Sequence, residues 1–196
     1  PTQMLADVMT AREHLGDLTG KKWVFMGDAR NNVANSLMVA CSKLGINFTA
    51  CGPTENMPEK ELVETCCKIA GEKGSTVTLT ADVREACKGA DVIYTDIWVS
   101  MGEAKELWEK RINLLSPYQV NKEVMALANE NAIFEHCLPS FHDLNTSVAR
   151  DIHEKFGLKE MEVCDDVFES KQSVVFDEAE NRMHTIKAVM YATLKD

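Results

Sequence analysis

The stretch "KKWVFMGDARNNVANSLMVACSKLG" (residues 21–45) combines the two patterns that decide the fold. It begins with a continuous apolar run, "WVFM", which is typical of a strand buried on both faces. It continues with apolar side chains three or four residues apart, at Val33, Leu37 and Cys41, which predicts an amphipathic helix. Gly45 is a suitable C-terminal end for that helix. The stretch therefore predicts a buried strand, a short turn and a helix.

The same alternation continues along most of the chain. Four more apolar runs predict strands, with helical patterns between them: "NFTACGP" (47–53), "TVTLT" (76–80), "DVIYTDIW" (91–98) and "AIFEHCL" (132–138). Alternating strands and helices with short connections predict a Rossmann-like α/β fold, in which helices cover both faces of a parallel sheet. Within this pattern, Ser116-Pro117 resembles a helix start and predicts a helix over "SPYQVNKEVMALANE" (116–130).

Both ends of the chain lie outside the alternation. "PTQMLADVMTAREHLG" (1–16) and "EAENRMHTIKAVMYATL" (178–194) have long helical patterns. We therefore divide the chain into a helix over 1–16, an α/β domain over 17–177 and a helix over 178–196. Each terminal helix is either peripheral to this domain or a bridge to another one. Because the sequence begins without an initiator Met, we expect it to be processed or cut from a longer chain.

Composition excludes several classes of function. The chain has 21 basic and 31 acidic residues, a net charge of −10. This charge argues against a nucleic-acid partner, because phosphate binding needs clustered Lys and Arg, and it permits a cationic small substrate. No apolar run approaches the roughly 20 residues of a membrane span. Seven cysteines without a CxxC spacing favour buried thiols in a reducing cytoplasm over disulfides or a zinc ribbon.

Polar clusters follow three of the predicted strands. They are "GDARNN" (27–32), "TDIWVSMG" (95–102) and "HCLPSFHD" (136–143). In open parallel sheets, ligands bind beyond the carboxyl ends of the strands. The three clusters therefore predict one binding crevice at that edge of the sheet.

The first two clusters each allow two interpretations. "GDARNN" has a single glycine, so it does not favour a dinucleotide. Asn31 and Asn32 either cap the following helix or offer amides to a ligand carboxylate. Asp96 either closes a turn with Ser100 or accepts a ligand ammonium beside an apolar wall, to which Met101 contributes together with a neighbouring tryptophan.

The third cluster and the last helix leave further alternatives. His136 and Cys137 are neighbours in a strand, where successive side chains point to opposite faces, so a Cys–His nucleophilic pair is disfavoured. A metal site from Cys137, His142 and Asp143 lacks a recognised spacing. Cys137 is then either a buried thiol before a turn or a ligand contact. Arg182 either forms a surface salt bridge or presents its fork of donors to a phosphate or a carbonyl.

Taken together, these motifs resemble the ornithine carbamoyltransferases. "PTQMLAD", "GDARNN", "TDIWVSMG", "HCLPSFHD" and "FDEAENRMHTIKAVM" occur in the order of that family and cover essentially the whole chain. They correspond only to its second, amino-acid-binding half. The first half, with its Ser-Thr-Arg-Thr phosphate-binding signature, is not part of this sequence. The resemblance implies transfer of a carbamoyl group from carbamoyl phosphate to the δ-amino group of L-ornithine, without cofactor or metal, in a homotrimer or a multiple of trimers.

The resemblance also implies roles for individual residues. Residues that match the ornithine-binding positions are Asn32, Asp96, Ser100 and Met101. Residues that match the carbamoyl-phosphate positions are Pro1, Thr2, Gln3, Cys137, Leu138 and Arg182. Cys137 and Arg182 are the implied catalytic pair, with the thiol orienting the amine and not forming a covalent bond. Glu135 departs from the family pattern, where an apolar residue is expected before "HCLP".

Two alternatives to this function are considered. In the first, the chain is a non-catalytic, Rossmann-like binding or regulatory module. In the second, it belongs to a carbamoyltransferase for a related amine or amino acid. The "SMG" sequence after Asp96 favours ornithine over aspartate, putrescine or acylated ornithine. Since the first half of the enzyme is not included, we expect the separate chain to be inactive and at best a weak binder.

Overall fold

The computed structural model describes residues 2–99 and 105–195. Its centre is a five-stranded sheet of order β3-β2-β1-β4-β5, in which all neighbours are parallel. The strands are β1 (Lys22–Met26), β2 (Asn47–Cys51), β3 (Val77–Thr80), β4 (Val92–Thr95) and β5 (Ile133–His136). The predicted parallel α/β fold and its strands are therefore confirmed.

Helices connect the strands and cover the sheet. They are α1 (Thr2–Leu15), α2 (Asn32–Leu44), α3 (Lys60–Glu72), α4 (Val83–Cys87), α5 (Lys105–Leu115), α6 (Lys122–Met125), α7 (Ser147–Phe156), α8 (Asp165–Phe168) and α9 (Val175–Leu194). Gly45 ends α2 in the left-handed conformation, with a φ of 73°, and its N–H donates to the carbonyl of Cys41. This end is the one that the sequence predicts.

Alternate side chains of the strands fill two separate cores. Trp23 and Phe25 pack toward α1, α2 and α3 on one face. Val24 and Met26 pack toward α4, α6 and α8 on the other. Because successive strand residues point to opposite faces, a strand buried on both sides reads as an unbroken apolar run. A third apolar cluster, formed largely by α5, α7 and the chain after β4, adjoins the carboxyl end of the sheet.

The predicted helix over residues 116–130 is wrong. A single 3₁₀ turn, Ser116–Tyr118, is followed by extended chain, and α6 begins only after Asn121, whose side chain accepts the N–H of Val124. Val120 is fully buried, and its N–H donates to the carbonyl of Glu162 at 2.9 Å. The bridge to that distant segment stabilises an extended backbone at Val120, so tertiary pairing overrides the local helical pattern.

The terminal helices α1 and α9 pack against each other. The amide of Asn181 donates to the hydroxyl of Thr10 at 2.9 Å in the buried part of the contact. His14 and Asp177 form an ion pair at 2.8 Å near its edge. Helix α9 begins three residues before the predicted boundary at 178. No residue from 186 to 195 is buried, and large apolar side chains of α9 are exposed: Phe176, Met183, Met190, Tyr191 and Leu194.

None of the helices in the described ranges is both long and apolar enough to cross a membrane. All seven cysteines fall within these ranges and are free thiols. Four of them are buried, as the sequence predicts: Cys41, Cys51, Cys66 and Cys87.

Candidate active site at the carboxyl end of the sheet

Asp96 is the point where the three polar clusters meet. Its carboxylate accepts a hydrogen bond from the Asn31 amide at 3.0 Å and another from the Cys137 thiol at 3.2 Å. It also accepts the N–H of Ile97 at 2.8 Å. These residues follow β1, β4 and β5, the strands around the switch in strand order where open sheets bind ligands. The predicted convergence at one edge of the sheet is therefore present.

Asn31 both caps α2 and holds Asp96. Its side-chain oxygen accepts the N–H of Ala34 at 2.8 Å, which leaves the NH₂ group free to donate to Asp96. The capping role that the sequence allows is therefore present, and the amide that the other interpretation assigns to a ligand carboxylate donates to Asp96. Asn32 lies beside it on the exposed first turn of α2.

The environment of Asp96 suits it to accept one cation. Burial raises the pKa of its carboxyl group, whereas the charge of His136 and the hydrogen bond from Cys137 lower it. A buried carboxylate with donors on both oxygens has a fixed orientation. An ammonium group of a ligand would neutralise the negative charge of the Asp96 carboxylate.

Cys137 is not set up as a nucleophile. Burial raises the pKa of its thiol, and the charge of Asp96 raises it further. The thiolate is the nucleophilic form of cysteine, so this environment suppresses covalent chemistry. The imidazole of His136 contacts the Cys137 carbonyl at 2.5 Å and not the thiol. The thiol instead directs its hydrogen bond to Asp96.

Among the described residues, the three side chains of the metal alternative at this loop form no hydrogen bond or ion pair with one another. Cys137 donates to Asp96, whereas His142 pairs with Asp165 at 2.8 Å and stacks on Phe168. The carboxylate of Asp143 accepts hydrogen bonds from its neighbour Asn145. The three side chains considered for a metal site thus have separate partners.

A buried ion pair holds the loop after β5. His136 and Glu162 are both 0% exposed, and their Nε2 and Oε1 atoms lie 3.3 Å apart, an ion-pair distance without good hydrogen-bond alignment. The same Glu162 oxygen accepts the N–H of Phe141 at 2.6 Å and the hydroxyl of Ser140 at 3.1 Å. Burial alone would lower the pKa of His136, but the close contact with the Glu162 carboxylate and its charge outweigh burial and raise that pKa. The pKa of Glu162 is lowered in turn, because the interaction with His136 outweighs burial.

Gln3 and Arg182 meet where α1 contacts α9. The guanidinium of Arg182 donates to the side-chain oxygen of Gln3 at 2.6 Å. The Gln3 amide nitrogen donates to Asp7 at 2.8 Å and to Glu178 at 2.9 Å. Two residues assigned to carbamoyl phosphate are therefore in direct contact, although 179 positions separate them in the sequence.

The remaining residues assigned by resemblance have simple placements. Thr2 is exposed at the start of α1. Leu138 is exposed, and a cis peptide bond joins it to Pro139. Three of the assigned residues lie outside the described ranges: Pro1, Ser100 and Met101.

Several polar residues near the site have no counterpart in the sequence predictions. Arg111 donates to Asp28 at 2.6 Å and to the carbonyl of Trp98 at 2.5 Å, which ties the turn after β1 to the segment after β4. Asp7 and Glu178 are buried on the inner faces of α1 and α9. Acidic residues on the buried stripe of a helical pattern are the signal that identifies the last two, whereas Arg111 has no such signal.

Glu135 is a buried acid with a raised pKa. It is fully buried, and neither carboxyl oxygen has a hydrogen-bond partner among the described residues. Burial raises its pKa well above the ordinary range, and the charges of Glu178 and Asp7 add to this effect. A buried acid with a raised pKa therefore stands where the resemblance implies an apolar residue.

We expect Glu135→Met to stabilise the domain by about 2 kcal/mol near neutral pH, because it removes a buried polar group without a partner. The folded-state pKa is raised, so the wild type loses stability as pH rises above the ordinary value of 4.5. The gain should therefore shrink at more acidic pH. Urea unfolding followed by circular dichroism measures both effects. The exposed Glu109→Met is the control, and a destabilised Glu135→Met would contradict this account.

The sheet order and the polar groups at its switch point define a Rossmann-like small-molecule-binding domain. Residues 19–193 match the family model described as "Aspartate/ornithine carbamoyltransferase, Asp/Orn binding domain". The chain therefore belongs to the aspartate/ornithine carbamoyltransferase family and carries its amino-acid-binding domain. The resemblance that the motifs indicate is confirmed.

Individual relatives agree with the family match. The chain is 63% identical over 194 residues to a catabolic ornithine carbamoyltransferase of Treponema denticola and 56% identical over 196 residues to an ornithine carbamoyltransferase of Staphylococcus aureus. The matches cover 99% of this chain but only 57% and 59% of those proteins. The solved ornithine carbamoyltransferase of Pyrococcus furiosus superposes with a TM-score of 0.82 at 40% identity, over 97% of this chain and 55% of that one.

Proposed function

We propose that this chain is the ornithine-binding half of an ornithine carbamoyltransferase, which makes L-citrulline and phosphate from L-ornithine and carbamoyl phosphate. The observation that supports this most is the buried carboxylate of Asp96, oriented by the Asn31 amide and the Cys137 thiol. A fixed carboxylate in a crevice is suited to the α-ammonium group of an amino acid.

The acceptor side of the reaction uses the residues around Asp96. Asp96 binds the α-amino group, and Asn32, Ser100 and Met101 bind the rest of the amino-acid head. An alkyl amine has a pKa of about 10, so the δ-amine must be bound in its neutral form before it can attack. Cys137, which remains a thiol, orients that amine without forming a covalent bond.

The donor side uses the contact between the two terminal helices. Arg182 binds carbamoyl phosphate and stabilises negative charge on the carbonyl oxygen and the leaving phosphate. Thr2 and Gln3 contribute from the start of α1, Pro1 is the residue that precedes them in the sequence, and Leu138 contributes from the loop after β5. The attacking nitrogen forms a bond to the carbamoyl carbon, the C–O bond to phosphate breaks, and the amine loses a proton. In this proposal the reaction uses neither a cofactor nor a metal.

The remaining part of the enzyme completes the site. The chain spans 57% of the Treponema denticola relative, and α9 has an exposed apolar face from Phe176 to Leu194. We propose that the helices over 1–16 and 178–196 bridge to an N-terminal carbamoyl-phosphate domain, which covers part of that face. The parent enzyme is then a cytoplasmic homotrimer or a multiple of trimers, and this chain alone is inactive.

A chimera tests this function. The chain is joined to the part of the Treponema denticola relative that it does not cover, and citrulline formation is measured. We expect the chimera to form citrulline and the separate chain to form none. Putrescine, aspartate and N-acetylornithine replace ornithine in parallel reactions, and a preference for one of them would reassign the substrate. Turnover by the separate chain, or an inactive folded chimera, would contradict the proposal.

Isothermal titration calorimetry distinguishes the ornithine-binding half of an enzyme from a non-catalytic regulatory module. Titration of the separate chain with ornithine and with NAD compares the two ligands directly. We expect weak ornithine binding and no heat from NAD. Tight NAD binding would favour the non-catalytic Rossmann-like alternative.

A further inference from the structure

Glu178 is a buried carboxylate in neither proposed set of binding residues. One of its oxygens accepts the Gln3 amide at 2.9 Å and the Tyr94 hydroxyl at 3.2 Å, and the other accepts the N–H of His136 at 2.9 Å. The donors come from α1, β4 and β5, whereas Glu178 itself is on α9. One side chain thus links both terminal helices to the two strands whose ends form the acceptor side.

On the donor side, Glu178 determines how the Gln3 amide is oriented. The Gln3 NH₂ group donates to one carboxyl oxygen of Asp7 and one of Glu178 together, and both of these oxygens accept. The Gln3 oxygen must then face the opposite direction, where it accepts the guanidinium of Arg182. If the amide turned over, its NH₂ group would face the guanidinium, and the contact would become repulsive.

On the acceptor side, Glu178 acts on the chain next to the thiol. Its oxygen holds the N–H of His136, and Cys137 is the following residue. Burial and the charge of Asp96 are the main reasons why the pKa of the Cys137 thiol is raised, and the charge of Glu178 raises it further. Glu178 therefore influences both the position and the protonation of Cys137.

We propose that Glu178 is a positioning residue that holds Gln3 on the donor side and the His136 amide on the acceptor side, so that the two subsites keep one relative placement. The assignment of Gln3 to a donor side and of Cys137 to an acceptor side rests on the proposed function. The hydrogen bonds of Glu178 do not depend on it. A glutamine at 178 has a single acceptor oxygen and cannot receive donors on both sides. Glu178→Gln should therefore lose the hydrogen bond either to the Gln3 amide or to the N–H of His136.

Other ionisable groups surround Glu178 and enter the interpretation of any pH profile. Asp7 on α1 shares the Gln3 nitrogen with it, and burial together with the charge of Glu178 raises the pKa of Asp7 well above its ordinary range. Glu135 and His136 face it from β5, and Tyr94 from β4. Burial raises the pKa of Glu178 as well, whereas the interaction with Asp7 and the hydrogen bond from the N–H of His136 lower it.

The rate at which iodoacetamide alkylates Cys137 in the separate chain tests the proposal. Because the charge of Glu178 raises the pKa of the Cys137 thiol, its loss should lower that pKa and so raise the thiolate fraction, although a thiolate of lower pKa is less nucleophilic. We expect Glu178→Gln to react about threefold faster at Cys137 between about pH 7 and pH 10. Peptide mass spectrometry gives the rate, with the exposed Cys67 as the internal reference.

Asp177→Asn is the matched control, because it removes the neighbouring negative charge, which is exposed and pairs with His14. It should leave the Cys137 rate unchanged. The buried Cys41 should stay unreactive in both variants, which excludes unfolding as the cause. An unchanged Cys137 rate in Glu178→Gln, or an equal increase in Asp177→Asn, would overturn the proposal.

The active chimera supplies a kinetic readout. There we expect Glu178→Gln to lower kcat/KM for carbamoyl phosphate about tenfold, and Asp177→Asn to change it by less than about twofold. Unaltered kinetics of Glu178→Gln in an active chimera would also overturn the proposal. An inactive wild-type chimera would count against the proposed function alone, since alkylation of the separate chain measures the placement of Glu178 independently.

Discussion

Glu162→Leu is expected to lower the free energy of unfolding by about 3 to 5 kcal/mol near pH 6. The substitution removes the carboxylate that pairs with His136 in a fully buried site. It also removes the acceptor for the N–H of Phe141 and the hydroxyl of Ser140. A buried donor that loses its partner costs about 1 to 3 kcal/mol, so the losses combine. Glu162→Gln, which retains one acceptor oxygen, should lose roughly half as much.

The effect of Glu162→Leu should depend on pH in a defined direction. His136 has a raised pKa in the folded chain, so its contribution is complete below the ordinary value of 6.5 and disappears as pH rises through the folded-state pKa. Glu162 has a lowered pKa, so its contribution is complete above 4.5 and disappears as pH falls through the folded-state pKa. The difference between wild type and variant is therefore largest between these two values.

Urea unfolding at a series of pH values measures this difference. The exposed Glu154→Leu on α7 is the control, and it should change stability by less than about 0.5 kcal/mol. A loss below about 1 kcal/mol for Glu162→Leu, or one that does not vary with pH, would show that the ion pair contributes little.

Gly52→Ala is expected to destabilise the domain by about 3 kcal/mol, at the upper end of the usual cost of overpacking. A Cβ atom at position 52 would lie 2.2 Å from the carbonyl oxygen of Gly27. That oxygen belongs to the backbone, so no side-chain rotation can relieve the contact. Gly27 has a φ of 123°, and its N–H donates to the carbonyl of Cys51 at 2.9 Å. The close approach of two glycines therefore fixes the turn that leads to Asp28 and Asn31.

Gly71→Ala provides a control of opposite sign. Gly71 is in α3, and a Cβ there has no heavy atom within 4 Å. Alanine in a helix is more stable than glycine by about 0.5 to 1 kcal/mol, so this variant should gain stability. Thermal and urea unfolding compare the two substitutions. Equal stability of Gly52→Ala and wild type would mean that the backbone at Gly27 yields easily.

The fold was predictable because its signals are local. Unbroken apolar runs identify strands of a parallel sheet, and the apolar spacing before Gly45 identifies α2 and its end. The error at residues 116–130 has a non-local cause, because the bridge that keeps Val120 extended is made with a segment more than 40 residues away. Propensity within the stretch contains no information about that partner.

The candidate site was predictable only in part. The rule that ligands bind beyond the carboxyl ends of strands predicts the meeting of Asp96 with Cys137. The supporting contacts depend on pairs that the sequence separates widely, such as Gln3 with Glu178, 175 positions apart. Glu135 was recognisable as a departure from the pattern that the resemblance implies, but its burial and its raised pKa follow only from its three-dimensional neighbours.

The strand order has a consequence for how this chain folds. β1, β2 and β3 follow each other outward, so each pairs with a strand that is near in sequence. β4 must instead return to the free edge of β1, and the Asn31–Asp96 contact closes a loop of 65 residues. Loop closure of that length is slower than local pairing. We therefore expect the first three strands to pair before the pocket around Asp96 closes.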